Sequence, residues 1–314
     1  MTIKQIQEEI LKLKKQNDVT IIAHYYQPIE IQQVADHLGD SLGLSRTAKD
    51  EANTEYILFA GVNFMAETAS ILNQDKRVLI PNPEACCPMA AFLNPEQVKQ
   101  FKQGNPGLPA VVYVNSTAAV KAESDVCCTS SNAVKIVQRI SKEFKTEAVL
   151  FGPDANLADY TEQKSKIKTI KMPEKGHCIV HSQITEDDVV NAKDNYPNAI
   201  MMVHPECVRE VREIVDFVGS TAQMYNYVRD NPEDMNEFVI GTEVGLMERM
   251  CEDFPTKRFA LLSDKLVCYN MKKNTIELTK YVLENLDDKS FEVKVPEYIA
   301  KRALEPINKM LEYS

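Results

Sequence analysis

Three cysteines stand at nearly equal intervals along the chain: Cys87, Cys178 and Cys268, separated by 91 and 90 residues. Three thiolates meeting at one point repel one another and require a cation, so convergence of this trio would imply a metal. Structural zinc asks for four closed ligands, whereas three cysteines on an iron–sulfur cubane leave one iron open as a Lewis acid. The other five cysteines read differently. Cys86 adjoins Cys87 on a turn, where neighbouring side chains point in different directions, so at most one is a ligand. Cys127 and Cys128 lie just before a helix start and Cys251 sits in the helical stretch VGLMERMCEDF, positions where packing is expected. Cys207, in HPEC (204–207), falls outside the 90-residue register and is not expected to bind metal. There is no CxxC anywhere, which removes the usual zinc-ribbon and thioredoxin patterns.

The elements that must position these thiols repeat with them. Three apolar, β-branched runs end in a polar group: VTIIAHYYQ (19–27), AVVYVNS (110–116) and AIMMVHPE (199–206). Each reads as a buried strand of a parallel sheet. Their polar ends put His24, Asn115 and His204 in register, 91 and 89 residues apart. A hydroxyl opening a helix follows 17, 15 and 16 residues later, at Ser41, Ser130 and Ser220. A glycine ending a second strand comes 20, 22 and 21 residues beyond, at Gly61, Gly152 and Gly241. A third strand then precedes each cysteine, which lies 26, 26 and 27 residues past its glycine.

Strands alternating with helical stretches near 41–53, 130–143 and 220–230 define an α/β protein. The expected architecture is three similar α/β/α domains with parallel sheets around a pseudo-threefold axis. Ligand sites in such sheets lie beyond the carboxyl ends of the strands, where every landmark falls, so the active site and metal belong at the centre. The expected units are 1–109 with Cys87, 110–195 with Cys178, 196–271 with Cys268, and a tail over 272–314 that packs back on the body. In the tail, VPEYIAKRALEPINKMLEYS reads as a helix starting near Pro296, with Ile299, Ala303, Ile307 and Met310 or Leu311 on its apolar face; Pro306 should kink or split it.

A formal net charge of -10 and a pI near 5.2 argue against a nucleic-acid or anionic-membrane partner, since either demands clustered basic residues. The N-terminal stretch has Ile3, Ile6, Ile10 and Leu13 at helical spacing, not the continuous apolar run of a signal peptide. No run of 18 apolar residues occurs, so no membrane span is expected and the cytoplasm is the expected location. Cysteines there stay reduced, which favours metal or catalysis over disulfides.

At these motifs the sequence resembles the quinolinate synthase family, and the similarity extends over almost the whole chain. It is carried by AHYYQ (23–27), GDSLGLS (39–45), PNPEACCPMA (81–90), YVNS (113–116), CTSSNAVK (128–135), GHCIVH (176–181), HPEC (204–207), GSTAQM (219–224), GTEVGL (241–246) and CYNMKKNT (268–275). The resemblance implies a triangular assembly of three α/β domains around a 4Fe-4S cluster held by Cys87, Cys178 and Cys268. It also implies the reaction: iminoaspartate and dihydroxyacetone phosphate condense and cyclise to quinolinate, with loss of phosphate and two waters, in NAD biosynthesis. The enzyme that produces iminoaspartate would be a transient partner. Some family members carry a redox-active CxxC ending at the last ligand; here Lys265, Leu266 and Val267 precede Cys268, so that switch is absent.

These substrates bring two carboxylates and a phosphate, and hydroxyls at helix starts suit anions. Ser41, Ser130, Ser220 and Thr221 are substrate contacts by resemblance, while simple helix capping is the alternative. By the same resemblance Glu206, just past a strand end, is the general base. His24 and His204 can hydrogen-bond carboxylate or carbonyl oxygens or shuttle protons. Tyr26 and Tyr113 act as acids or orient substrate by family match alone, core packing being the usual reading of tyrosine. Asn115 is a neutral donor to an oxygen that gains charge. His181 is close enough to Cys178 to support it; His37 and His177 have no assigned role. The open-iron reading also admits another iron–sulfur hydro-lyase of the aconitase kind, and a fourth protein ligand would instead favour a non-catalytic metal sensor.

Overall fold

In the computed structural model, residues 1–50, 54–231 and 236–314 are described. Three four-stranded sheets follow one plan. The first holds β1 (Val19–His24), β2 (His37–Gly39), β3 (Tyr56–Ala60) and β4 (Arg77–Leu79) in the order β2-β1-β3-β4. The second repeats it as β6-β5-β7-β8 with β5 (Ala110–Tyr113), β6 (Val126–Cys128), β7 (Ala148–Gly152) and β8 (Lys168–Lys171). The third does so as β10-β9-β11-β12 with β9 (Ile200–Val203), β10 (Phe217–Val218), β11 (Glu237–Gly241) and β12 (Arg258–Leu261). Every pairing is parallel. The central strands are buried almost throughout, which is why they read as unbroken apolar runs: helices cover both faces of a parallel sheet.

Each sheet thus holds one strand more than the apolar runs indicated. The additions β2, β6 and β10 are edge strands of two or three residues, too short for a periodic signal. They share a register: His24 pairs Gly39, Tyr113 pairs Cys128 and Val203 pairs Val218, an offset of 15 residues each time. Cys127 and Cys128 are therefore buried strand residues, with the next helix beginning at Ala133. The polar ends expected in register also slip: β1 ends at His24, whereas Asn115 and His204 lie two and one residues past their strands. The helices observed are Ser41–Asp50, Ala133–Phe144 and Thr221–Asp230; residues 51–53 of the first expected helix lie outside the described residues.

The cysteine loops repeat more faithfully. Three further helices, Asn63–Leu72, Ala155–Ser165 and Val244–Asp253, follow the second strand of each unit. Their first N–H groups donate to the carbonyls of Ala85, Gly176 and Leu266 at 2.8, 2.7 and 2.9 Å. Each acceptor lies two residues before a cysteine of the trio, so one backbone bond fastens each loop to a helix start.

The tail helix Glu297–Tyr313 is one continuous element, and the expected split at Pro306 does not occur. Proline there removes an internal hydrogen bond, but Ala300, Ala303, Pro306, Ile307 and Met310 are all buried, and this apolar face holds the helix down. A single core joins Ile22 and Phe59 of the first sheet, Val111 and Phe151 of the second, and Ile307 and Met310 of this helix. The third sheet has separate cores. Among the described residues no helix is long and apolar enough to cross a membrane.

Candidate active site and metal centre

A cavity of about 70 Å³ lies at the carboxyl ends of the strands. Its walls include Cys87, Cys178 and Cys268, with His24, Tyr26, Ser41, Tyr113, Asn115, Ser130, His204, Glu206 and Thr221. Of the residues selected from the sequence, Ser220 alone is outside the lining. Its hydroxyl accepts the Gln223 N–H at 3.3 Å, caps the helix Thr221–Asp230 and donates to Asp40 Oδ2 at 3.4 Å. The Asn115 Oδ1 atom is buried and has no hydrogen-bond partner among the described residues.

Burial pushes the Cys87 thiol up to about 12, and the nearby charges of Cys268 and Glu206 push the same way. Cys178 is raised by burial, then by Glu206 and Cys87; Cys268 is raised chiefly by burial. The thiols thus oppose one another's ionisation, and Lys272, the nearby ammonium, is committed to Glu243 at 3.0 Å. A trio arranged this way is stable as thiolates only around added positive charge, so it fits a metal centre. Among the described residues the group whose ligand atoms all lie within 4.8 Å of one another is Cys178, His181 and Glu206. Cys207 is fully buried outside the cavity, and Cys86 and Cys251 are exposed.

Two buried carboxylates that the sequence reading missed hold the second and third loops. Asp154 accepts the Cys178 N–H at 3.0 Å through Oδ2 and caps its helix through Oδ1, 2.7 Å from the Leu157 nitrogen. Glu243 does the same for the Cys268 N–H at 3.2 Å and the Gly245 N–H at 2.7 Å. Burial raises both, with the Glu206 charge adding for Asp154 and Lys272 opposing for Glu243. Each stands two residues past its landmark glycine, a signal visible in the sequence; the helix cap of the first unit is Val62.

The acid–base groups form one network. The Tyr113 hydroxyl donates to Glu206 Oε1 at 2.6 Å, and His181 Nδ1 lies 2.7 Å from Glu206 Oε2. Burial pushes the Glu206 carboxyl up, but the proximity of His204 and the bonds from His181 and Tyr113 reverse the direction and hold it below the usual carboxylate range. Burial raises both Tyr26 and Tyr113, so each phenol keeps its proton. His24 and His204 are lowered to about 3, chiefly by burial, and are neutral. Their Nδ1 atoms accept the N–H of Tyr26 at 3.1 Å and of Glu206 at 3.3 Å. The ring proton therefore sits on Nε2 in both, leaving each ring a neutral donor at that atom. Asp40, inside the GDSLG motif, also lines the cavity; burial raises it against N–H bonds from Gly43, Leu42 and Ala222.

Three parallel α/β sheets whose strand ends meet a buried acid–base network and a cysteine trio define an enzyme built around a metal centre. The profile of the quinolinate synthetase A protein family matches residues 8–312. The quinolinate synthase of Clostridium kluyveri is 47% identical over 303 residues, covering 96% of each chain. Those of Thermotoga petrophila and Pyrococcus horikoshii are 45% and 44% identical, over 97% and 98% of this chain and 98% of each relative. The chain belongs to the quinolinate synthase family.

Proposed function

We propose that this chain condenses iminoaspartate with dihydroxyacetone phosphate and cyclises the product to quinolinate, releasing phosphate and two waters, as a transferase-type synthase of NAD biosynthesis in the cytoplasm. The observation that carries this reading is that Cys87, Cys178 and Cys268 share one cavity with Glu206, Tyr26 and Tyr113. The three cysteines would hold a 4Fe-4S cluster, whose open iron supplies a Lewis acid for a departing hydroxide.

The protein's own groups account for the rest. His24 and His204 each offer an Nε2–H to the substrate carboxylates, and their neutrality lets them donate without adding charge. Ser41, Ser130 and Thr221 complete the anion site near helix starts. The unpartnered Asn115 amide oxygen suits a substrate N–H or hydroxyl. Glu206 is ionised and takes protons in the imine–enamine and carbonyl isomerisations. A carboxylate held this low is a weak base when the cavity is empty, and the negative charges of bound substrate raise it toward working pH. Tyr26 and Tyr113, protonated and buried, return protons to oxygens as they leave. A transient contact with the iminoaspartate-producing enzyme would shield that labile substrate from water.

The test is anaerobic purification with iron and sulfide analysis of Cys87→Ala, Cys178→Ala, Cys268→Ala and Cys207→Ala, beside quinolinate formation. Loss of iron, sulfide and product in the first three, with retention in Cys207→Ala, is expected. Retention of iron and sulfide in any of the first three would remove that cysteine from the ligand set.

A further inference from the structure

The three cysteine loops are fastened alike before the thiol and differ just past it. Three residues beyond Cys87, Cys178 and Cys268 stand Ala90, His181 and Met271, so the second unit alone places an imidazole there. A cluster held by one cysteine from each unit makes no use of that difference. The turn that carries the imidazole is closed by the Ser182 N–H, which donates to the Cys178 carbonyl at 3.0 Å and brings the ring back beside the thiol. Glu206 reaches the same point from the end of β9.

The Cys178 sulfur, a His181 ring nitrogen and a Glu206 oxygen all lie within 4.8 Å of one another, and all three residues line the cavity. Thiolate, imidazole and carboxylate are the donor set of zinc, and three protein ligands with one position left to water is the composition of an open zinc site. Calcium and magnesium ask for oxygens instead. Zinc bonds of about 2.0–2.3 Å hold neighbouring ligand atoms roughly 3.3–3.7 Å apart in a tetrahedron. The 2.7 Å between His181 Nδ1 and Glu206 Oε2 therefore opens slightly as the ion enters. Each ligand is already oriented from behind. His181 Nε2 lies 2.8 Å from Thr242 Oγ1, Glu206 Oε1 accepts from the Tyr113 hydroxyl at 2.6 Å, and the Cys178 N–H donates to Asp154 at 3.0 Å. The ring of His204 stacks on that of His181 at 4.4 Å and an interplanar angle of 11°. Such contacts to the far side of a ligand fix its tautomer and direction in metal sites.

Charge decides between this group and the cysteine trio. A divalent ion on one thiolate, one carboxylate and a neutral imidazole is balanced to zero, and Cys87 and Cys268 stay protonated. The same ion on three thiolates carries one negative charge, and the Glu206 carboxylate adds another in the same buried cavity. Uncompensated charge out of water is costly, so a single divalent ion takes the mixed group.

We propose that Cys178, His181 and Glu206 form a second metal site, for one zinc-class divalent cation, which competes with the cluster for Cys178. On binding, the Cys178 thiol gives up its proton to water, and the His181 proton moves from Nδ1 to Nε2, where Thr242 accepts it. One proton is released per ion and nothing is oxidised or reduced. The zinc form has lost one cluster ligand and the use of the Glu206 carboxylate, so the fate of a newly folded chain is set by which metal arrives first. The competition rests on Cys178 being a cluster ligand; the binding of zinc does not.

The experiment titrates the cluster-free full chain, purified anaerobically, with zinc by calorimetry and with cobalt(II) as a coloured substitute. One equivalent should bind, and cobalt should show the visible bands of a four-coordinate ion with a single thiolate. The Cys87→Ala, Cys268→Ala double variant should bind zinc within about three-fold of the wild type. Cys178→Ala, His181→Asn and Glu206→Gln should each bind it more than about 100-fold more weakly, and Thr242→Val roughly 10-fold more weakly. Zinc-saturated protein should take up no iron and sulfide until a chelator removes the ion. Loss of zinc binding in the double variant, or wild-type affinity in His181→Asn, overturns the mixed site, and the double variant decides this even where His181→Asn does not fold. Uptake of iron and sulfide beside bound zinc overturns the competition; if Cys178→Ala also keeps its cluster, the failure lies in the cluster assignment and not in the zinc site.

Discussion

The ends of β1 and β9 are one turn used twice for different chemistry. In both a histidine carbonyl accepts the N–H three residues on at 3.0 Å, from Gln27 to His24 and from Cys207 to His204. In both, the histidine Nδ1 accepts the N–H two residues on, which fixes a neutral ring with its proton on Nε2. The residue two places on is a phenol in the first unit, Tyr26, and a carboxylate in the third, Glu206. In the proposed mechanism the scaffold repeats the substrate-holding donor, while the variable position beside it separates acid from base. A symmetric cavity could bind two carboxylates, but proton transfer needs one end to be basic and the other acidic, so the asymmetry falls at the position the backbone leaves free.

The most severe way to break this comparison is at the variable position. Glu206→Gln should lower kcat by roughly 10³-fold and Tyr26→Phe by roughly 10²-fold, both with intact iron and sulfide content. Equal losses, or the reverse order, would deny that the two turns divide the work. The shared histidines should behave alike: His24→Asn and His204→Asn each remove one Nε2–H and should raise KM about ten-fold with a smaller change in kcat, checked by steady-state kinetics.

The cysteine loops sharpen the contrast from another side, because among the described residues only the second and third units use a carboxylate clamp. Asp154→Ala and Glu243→Ala should each cost about 1–3 kcal/mol in denaturant unfolding of the cluster-free protein and hasten cluster loss. Val62→Ala in the first unit should leave the rate of cluster loss unchanged.

The smallest effect is a pH dependence. His24 and His204 are lowered to about 3 in the folded chain against a reference of 6.5. Between those values the unfolded chain binds protons that the folded chain refuses, so their contribution is full above pH 6.5 and falls as the pH drops. At pH 5.5 each should cost about 1.4 kcal/mol. The loss should appear as a falling thermal midpoint of cluster-free protein and be flattened in a His24→Asn, His204→Asn double variant.

The cysteine trio and the two central strands of each unit, four to six residues long, were legible because burial on both sheet faces and a common loop leave residues at a fixed period, and the third strand, only three residues at β4, was found through its place before the cysteine. The edge strands β2, β6 and β10 were not, since two or three residues cannot express a period. Asp154 and Glu243 left a trace two residues past the landmark glycines, but without coordinates a capping acid and a cysteine clamp look alike. Ser220 carried the same ambiguity, and packing put its hydroxyl on Gln223 and Asp40 rather than in the cavity.

By itself the sequence determined the α/β class, the threefold repeat and the identity of the residues at each strand end, because local apolar pattern and spacing are properties of the chain alone. Only the tertiary structure decided that Tyr26, Thr242, His181, Glu206 and Tyr113 form one bonded line. These groups come from all three units, and a hydrogen bond depends on distances between segments that sequence separation does not encode. Burial likewise settled the charges: it made the histidines neutral donors and kept the phenols protonated, and burial exists only once the units have packed.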